Sequence, residues 1–290
     1  MASDSEDILK SLKRAANAVK KAKGLVITAG AGMSVDSGLP DYRGQEGFWR
    51  AYPPLKKMGL KFENMNTPEW FHNDPEFAWG FFGHQYDLYW RTEPHQGFQI
   101  LKKWAGRMEH GHFVFTSNVD GHFKKSGFNE DTILECHGSI NFMQCVGGND
   151  SHEIWPVPEG THFKVDASTL RAAKPLPMGP HGKNTHPARP NVLMFDDWEW
   201  ETTRSDKQHI KYQRFLDSLT DSVSDVVVIE IGAGLSIPTV RYTSEGLVTR
   251  CPSKRVLIRI NPSESMVPDG HISIPLNGLE ALQKIDELLQ

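Results

Sequence analysis

Glycine, carboxylate and guanidinium groups stand close together in the segment 30–43, at spacings suited to binding a phosphate. Gly30-Ala31-Gly32 follows the apolar run Leu25-Val26-Ile27, and glycines after a strand let backbone N–H groups approach an anion. The third glycine of the G-x-G-x-x-G dinucleotide fingerprint is missing, because Val35 stands there. Asp41-Tyr42-Arg43 adds a guanidinium that can pair with a phosphate. The structural alternative for these three residues is a surface turn after Pro40.

Amide, carboxylate and imidazole groups follow a second apolar run. Ser117-Asn118-Val119-Asp120 comes after His112–Phe115, and such side chains can bind ribose hydroxyls or a carboxamide. Capping of a helix is the structural alternative for Asn118 and Asp120. His137 lies seventeen residues beyond Asp120. An imidazole suits a general base near neutral pH, although a lone histidine is more often structural.

Four apolar runs with β-branched residues are the elements that must position these groups. Each ends in small or polar residues, and the runs are 25–27, 112–115, 225–231 and 255–260. Buried runs of this kind are typical of parallel strands, whose carboxyl ends line the ligand crevice of a doubly wound sheet. The sequence therefore predicts an α/β fold with a doubly wound parallel sheet.

Two stretches depart from the strand pattern. Residues 42–104 hold 16 of the 29 aromatic residues, which predicts a packed helical region. Residues 146–190 are rich in Gly, Pro and His with weak periodicity, which indicates an irregular insertion.

The composition of the 290-residue chain excludes several classes of protein. The 32 Lys and Arg against 36 Asp and Glu argue against a generally basic nucleic-acid binder. No stretch is apolar enough for a membrane span, and no secretory signal is visible. Three cysteines without a CxxC pair make no disulfide framework. We therefore expect a cytoplasmic protein, with a nuclear location as the alternative.

Taken in order along the chain, these segments resemble the signatures of the sirtuin (Sir2) family of NAD-dependent protein deacylases. The resemblance extends from about residue 5 to residue 290. The matching segments are GAGMS at 30–34, GLPDYRG at 38–44, TSNVD at 116–120, His137-Gly138, RPNVLMF at 189–195, GAGL at 232–235 and Ile260-Asn261.

The resemblance implies a Rossmann-like NAD-binding domain and a smaller inserted domain. Residues 1–45, 96–140 and 189–290 would form the NAD-binding domain. The small domain would combine a helical insertion at 46–95 with a former zinc-knuckle module at 141–188.

The resemblance also implies the chemistry and assigns site residues. The enzyme would transfer the acyl group of a modified lysine to NAD, giving nicotinamide and O-acyl-ADP-ribose. His137 would be the general base, with Asn118 and Asp120 as further catalytic residues. The acyl-lysine peptide would contact Phe195, Asp196 and Leu235. NAD would be bound by Gly30, Ala31, Gly32, Ser34, Asp41, Tyr42, Arg43, Ser117, Asn118, Asp120, Gly232, Ala233, Gly234 and Asn261.

Several residues depart from the family pattern. Ser117 replaces a ribose-facing Gln, and Gly234 replaces a Ser that would donate a hydrogen bond. Asp196-Asp197 replaces Gly-Glu and adds charge beside the peptide groove, which favours basic peptides. The acid-reading type of the family carries Tyr-x-x-Arg in the helical part. Phe82 and Gln85 stand there, so that specificity is not predicted.

The zinc module of the family is also incomplete. Cys145 is the sole cysteine between His137 and residue 189, so we expect no bound metal. The alternative is a site rebuilt from histidines, which zinc also accepts as ligands. The candidates are His152, His162, His181 and His186.

Two other functions stay open at this point. The altered residues 196–197 would suit an enzyme that consumes NAD without deacylation, as an ADP-ribosyltransferase or NAD glycohydrolase. Ser117 would suit a protein that senses NAD without turnover.

Overall fold

The computed structural model describes residues 2–40, 45–148, 153–180, 186–220, 225–249 and 255–290. Its strands are β1 (Gly24–Ala29), β2 (His112–Thr116), β3 (Ile133–Glu135), β4 (Gly138–Cys145), β5 (Trp155–Pro156), β6 (Val165–Asp166), β7 (Arg171–Ala172), β8 (Ala188–Val192), β9 (Val226–Ile231), β10 (Arg255–Ile260) and β11 (Ile272–Ile274). Its helices are α1 (Ala2–Lys21), α2 (Gly32–Val35), α3 (Gln45–Ala51), α4 (Pro53–Lys57), α5 (Phe62–Met65), α6 (Glu69–Asn73), α7 (Pro75–Arg91), α8 (Gln96–Ala105), α9 (His122–Lys125), α10 (Thr203–Thr220), α11 (Thr239–Thr249) and α12 (Gly278–Glu287).

Six strands form one parallel sheet in the order β3-β2-β1-β9-β10-β11. The chain builds outward from β1 in one direction and then from β9 in the other, which is the topology of a doubly wound sheet. The predicted fold class is therefore confirmed. All four predicted apolar runs are strands of this sheet.

Helices cover both faces of the sheet, which explains why its strands are apolar on both sides. On one face, α1, α8 and α12 pack through residues such as Leu12, Trp104 and Leu282. On the other face, α10 and α11 contribute Leu216 and Leu247 among others. No helix of the described ranges is long and apolar enough to cross a membrane.

A separate hydrophobic cluster joins the aromatic helices to the smaller sheets. Phe48, Phe81 and Trp79 pack there with Met143 of β4 and with Leu170. The predicted helical character of the aromatic stretch is confirmed by α3 to α8.

The smaller sheets lie where an irregular insertion was predicted. An antiparallel sheet has the order β5-β4-β8, and β6 pairs with β7. The pair β4 and β8 crosses the predicted domain boundaries, since β4 begins at Gly138 and β8 ends at Val192.

Candidate active site

The register of the parallel sheet brings the glycine and polar segments to one edge. Ala29 pairs with Thr116 on one side and with Ile231 on the other. Ile231 in turn pairs with Ile260 of β10. The residues that follow these four positions therefore leave the sheet at the same level, and they are Gly30, Ser117, Gly232 and Asn261.

The loops after β1 and β9 cross at two glycines. The Gly32 N–H donates a hydrogen bond of 3.0 Å to the Gly232 carbonyl. Gly232 has a φ of 63°, and a side-chain carbon on it would overlap the backbone of Gly32 and Met33. Only glycine fits both the left-handed conformation and the close approach. The two glycines thus have a packing role here, besides the predicted role at NAD.

A cavity of about 440 Å³ opens beside this edge, between the parallel sheet and the aromatic helices. It collects seven of the predicted site residues, which are Ala31, Ser34, Ser117, Asn118, Asp120, His137 and Phe195. The segments that follow β1, β2 and β3 therefore line the same cavity as the segment that follows β8.

Hydrogen bonds fix the polar side chains of this cavity. The Asn118 amide donates to the Gly30 carbonyl at 3.0 Å. The Asp120 carboxylate accepts from the Ser34 hydroxyl at 2.7 Å and from the His122 N–H at 2.9 Å. Asn118 and Asp120 are thus held rigidly at the strand ends, with hydrogen-bonding capacity to spare.

His137 lies in the turn between β3 and β4. Gly138 follows with a φ of 76°, and a side-chain carbon on it would overlap the carbonyl of Asn191. The His137 carbonyl accepts a hydrogen bond of 3.0 Å from the Leu193 N–H, which anchors the turn. Burial lowers the pKa of the His137 imidazole from its usual 6.5. At neutral pH the ring is therefore uncharged and able to accept a proton.

Cys136, next to His137, is unsuited to act as a nucleophile. Burial raises the pKa of its thiol to about 12, and the thiolate is the reactive form of cysteine. The chemistry of the cavity thus depends on the imidazole, the amide and the carboxylates.

Other predicted site residues lie behind or beside the cavity. Both ends of the Asn261 amide are engaged. Its Nδ2 donates to the Ala233 carbonyl at 2.9 Å, and its Oδ1 accepts from the Glu264 N–H. The predicted NAD-binding residues that do not line the cavity also include Gly30, Gly32, Gly232, Ala233 and Gly234. Asp41, Tyr42 and Arg43 lie outside the described residues.

Of the three predicted peptide-contacting residues, only Phe195 lines the cavity. Asp196 is exposed beside it, with a φ of 53° in the left-handed region that favours glycine. Leu235 is 60% exposed and is not among the lining residues, whereas its neighbours Ser236 and Ile237 are.

Asp197 does not add charge to the peptide groove. Its side chain is fully buried and forms an ion pair with the equally buried Arg189. It also accepts hydrogen bonds from the N–H groups of Met194 and Glu199. Of the pair Asp196-Asp197, which we expected to add charge beside the groove, only Asp196 is exposed, and the Asp197 carboxylate instead stabilises the loop that carries Phe195.

Residues absent from the predicted site complete the cavity wall. Phe62, Phe82, Gln85 and Tyr89 come from the aromatic helices. Leu39 and Met194 come from neighbouring loops, and Val192 is the last residue of β8. Positions 82, 85 and 89 have helical spacing, and this was the sequence signal that could have predicted one lining face.

The former zinc module packs without any described metal group. Cys145 lies beside Gly179, whose N–H donates to the His186 carbonyl at 2.8 Å. No three metal-ligating side chains come together within the described ranges, which leave out His152 and His181. Whether zinc binds therefore stays a prediction.

The chain belongs to the Sir2 family, since the model of that family matches residues 30–211. An NAD-dependent protein deacylase of Aquifex aeolicus is 32% identical over 137 residues, 47% of this chain and 53% of that protein. A protein of the same name from Deinococcus radiodurans is 24% identical over 283 residues, 95% of this chain and 99% of that protein.

A third relative carries a different name. A probable bifunctional ADP-ribose hydrolase/ADP-ribosyltransferase of Fusarium oxysporum is 26% identical over 267 residues, which cover 89% of this chain and 44% of that protein. The chain thus spans about half the length of the Aquifex relative and of the Fusarium relative.

The fold agrees with solved structures of the family. A Sir2 homologue in complex with NAD aligns with a TM-score of 0.65 at 20% identity, over 95% of this chain and 93% of that one. The family and the Rossmann-like fold predicted from the sequence are both confirmed.

Proposed function

We propose that this protein is an NAD-dependent protein lysine deacylase. The observation that carries the proposal is the meeting of an uncharged His137 with Asn118 and Asp120 in one cavity. The names of the Aquifex and Deinococcus relatives support the same activity.

The donor and acceptor groups of the cavity suit the nicotinamide half of NAD. Amide, hydroxyl and carboxylate groups match a carboxamide and the hydroxyls of a ribose. Asn118, Asp120 and Ser117 would therefore hold the nicotinamide half. The backbone of Gly232 and Ala233 would contact the adenosine half. NAD supplies a ribose carbon that accepts the acyl oxygen as nicotinamide leaves.

The chain's own residues then position groups and move a proton. The hydrogen bond from Ser34 fixes the Asp120 carboxylate, which would then bind a hydroxyl of the ribose. His137 would accept the proton of a ribose hydroxyl, and burial favours this role because it keeps the imidazole neutral. The aromatic side chains of Phe62, Phe82 and Tyr89 line the cavity and would shield the reacting groups from water.

The rim of the cavity supports a preference for basic peptides. Glu63 lines the cavity and is exposed, and Asp196 is exposed next to Phe195. Two carboxylates at the mouth attract Lys and Arg residues that flank the acyl-lysine. Matched acetyl-lysine peptides with Lys or Glu neighbours test this preference, and a lower KM for the Glu peptide would contradict it.

A second candidate is consumption of NAD without a protein acyl group, which the name of the Fusarium relative favours. The two candidates differ in what triggers nicotinamide release. We expect release from NAD to require an acetyl-lysine peptide and to be lost in His137→Asn. Equal release with and without the peptide would support the second candidate.

A further inference from the structure

Another cavity, of about 560 Å³, lies along helix α10 and is named the α10 cavity. Thr203, Arg204, Lys207 and Gln208 of α10 line it, together with Phe142 of β4. None of the described residues lines both this cavity and the candidate active site. Its volume is suited to a small organic molecule.

The Arg204 guanidinium lines the α10 cavity and is only partly used by the protein. Its Nη2 donates a hydrogen bond to the Glu135 carboxylate, and its Cζ lies 4.1 Å from the centre of the Phe142 ring. Its Nη1 is buried and has no hydrogen-bond partner among the described residues. Buried donors are nearly always paired. This amino group is therefore available to an acceptor that the described chain does not supply.

Lys207 adds a second cation on the same face of α10, three residues after Arg204. Its side chain is exposed, and it forms no ion pair within the described ranges. The other lining lysine, Lys211, is already paired with Asp131 at 2.7 Å. Arg204 and Lys207 can donate hydrogen bonds but cannot accept them. Their shared partner must therefore be an acceptor, and their positive charges favour an anion.

The remaining charges of the α10 cavity limit the charge of that anion. Three carboxylates also line the cavity, those of Glu130, Asp131 and Glu153. They would repel a phosphate that carries two negative charges. The Lys207 ammonium balances one negative charge, which is the charge of a carboxylate.

We propose that the α10 cavity binds a small organic monocarboxylate through Arg204 and Lys207. The carboxylate would accept hydrogen bonds from Nη1 of Arg204 and Nζ of Lys207. The apolar body of the ligand would pack against Phe142 and Ile154, which line the same cavity. Binding at this site does not depend on whether the protein is a deacylase.

Three probes test the proposal by titration calorimetry with the native protein. Phenylacetate carries the carboxylate and an apolar body, phenylacetamide has the same shape without the charge, and inorganic phosphate has more charge without the body. We expect phenylacetate to bind about tenfold more tightly than either of the others, because a charged acceptor forms the stronger hydrogen bonds. Saturating NAD should leave its affinity unchanged.

Variants on α10 locate the bound probe. Lys207→Met should weaken phenylacetate binding about tenfold, because it removes a charge-assisted hydrogen bond. Arg204→Lys keeps a cation beside Glu135 and removes the second amino group, so it should weaken binding by a similar factor. Arg214→Met is the matched control, since Arg214 is exposed on the same helix and does not line the cavity. Its affinity should equal that of the native protein, and the unfolding temperature of each variant verifies its fold.

Several outcomes would overturn the proposal. Equal affinity for phenylacetate and phenylacetamide would exclude recognition of the charge, and tighter binding of phosphate would exclude a monocarboxylate. Unchanged affinity in a folded Lys207→Met, or an equal loss in Arg214→Met, would exclude the site. Competition by NAD would place the probe in the active-site cavity, and the absence of saturable binding would refute the proposal outright. Calorimetry requires no turnover, so failure of the deacylase assignment would leave each of these results intact.

Discussion

The hydroxyl of Ser34 donates a hydrogen bond to the carboxylate of Asp120 at 2.7 Å. This contact joins helix α2, which follows β1, to the segment after β2, and the ends of these two neighbouring strands meet at the cavity. The second partner of Asp120 is the His122 N–H. Ser34 and the His122 N–H therefore fix the orientation of the carboxylate that the proposed function assigns to the ribose of NAD.

Removing the Ser34 hydroxyl should lower activity without unfolding the protein. A hydrogen bond to a charged group contributes about 1.5–3 kcal/mol, so we expect Ser34→Ala to reduce kcat/KM about ten- to a hundredfold. Ser37→Ala is the control on the same loop, since the Ser37 hydroxyl accepts from the His95 N–H and does not touch the cavity. Equal losses in both variants, measured with an acetyl-lysine peptide, would assign the effect to the loop as a whole.

The pH dependence of turnover should follow the depressed pKa of His137. The base form is required, and burial lowers the pKa below 6.5, so protonation and loss of activity occur only under acidic conditions. We expect kcat/KM to be level near neutral pH and to fall to half at a pH below 6.5. Half-maximal activity above 6.5 would contradict an uncharged, buried base.

Neighbouring acids should differ sharply in their effect on stability. Asp197→Asn removes the buried counter-ion of Arg189 and leaves that charge only Glu199, whose carboxylate is 4.0 Å away, which should cost about 3 kcal/mol of unfolding free energy. Asp196→Asn changes an exposed residue with a φ of 53°, which Asn also adopts, and should cost less than about 0.5 kcal/mol. Denaturant unfolding measures both. A loss of similar size in the two variants would refute the structural role of Asp197.

Stability should not depend on zinc. Cys145 lies beside Gly179, and the Gly179 N–H donates a hydrogen bond to the His186 carbonyl. Contacts within the protein therefore hold the segment around Cys145 to the segment around Gly179. We expect less than about 0.2 zinc per chain by elemental analysis and an unfolding temperature unchanged by a chelator. A stoichiometric metal whose removal lowers that temperature would show that histidines rebuild the site.

The strand-end residues could be predicted from the sequence because their positions follow from local pattern and sheet topology. Asn118 lies two residues after β2, and His137 lies two residues after β3. Neighbouring parallel strands bring such positions together at one edge of the sheet. The role of Asp197 could not be predicted in this way. Its partner Arg189 is eight residues away, and only the path of the loop decides that both side chains turn inward.

The wall of the cavity was similarly beyond sequence patterns. Helical spacing groups Phe82, Gln85 and Tyr89 on one face, but many such faces pack into a core. Their exposure to the cavity depends on how the aromatic helices sit against the segment after β8. One contact between them is the hydrogen bond of 2.8 Å from the Phe195 N–H to the carbonyl of Asn66, which follows α5. Such tertiary contacts are not encoded in a periodic pattern.

The most direct test of the deacylase assignment follows the acyl group itself. The native protein is incubated with NAD and a basic peptide whose acetyl-lysine carries ¹³C in the acetyl group, and the products are weighed by mass spectrometry. We expect free lysine peptide, nicotinamide and ¹³C-labelled acetyl-ADP-ribose in equal amounts, with all three lost in His137→Asn. Nicotinamide formed while the label stays on the peptide would contradict the assignment.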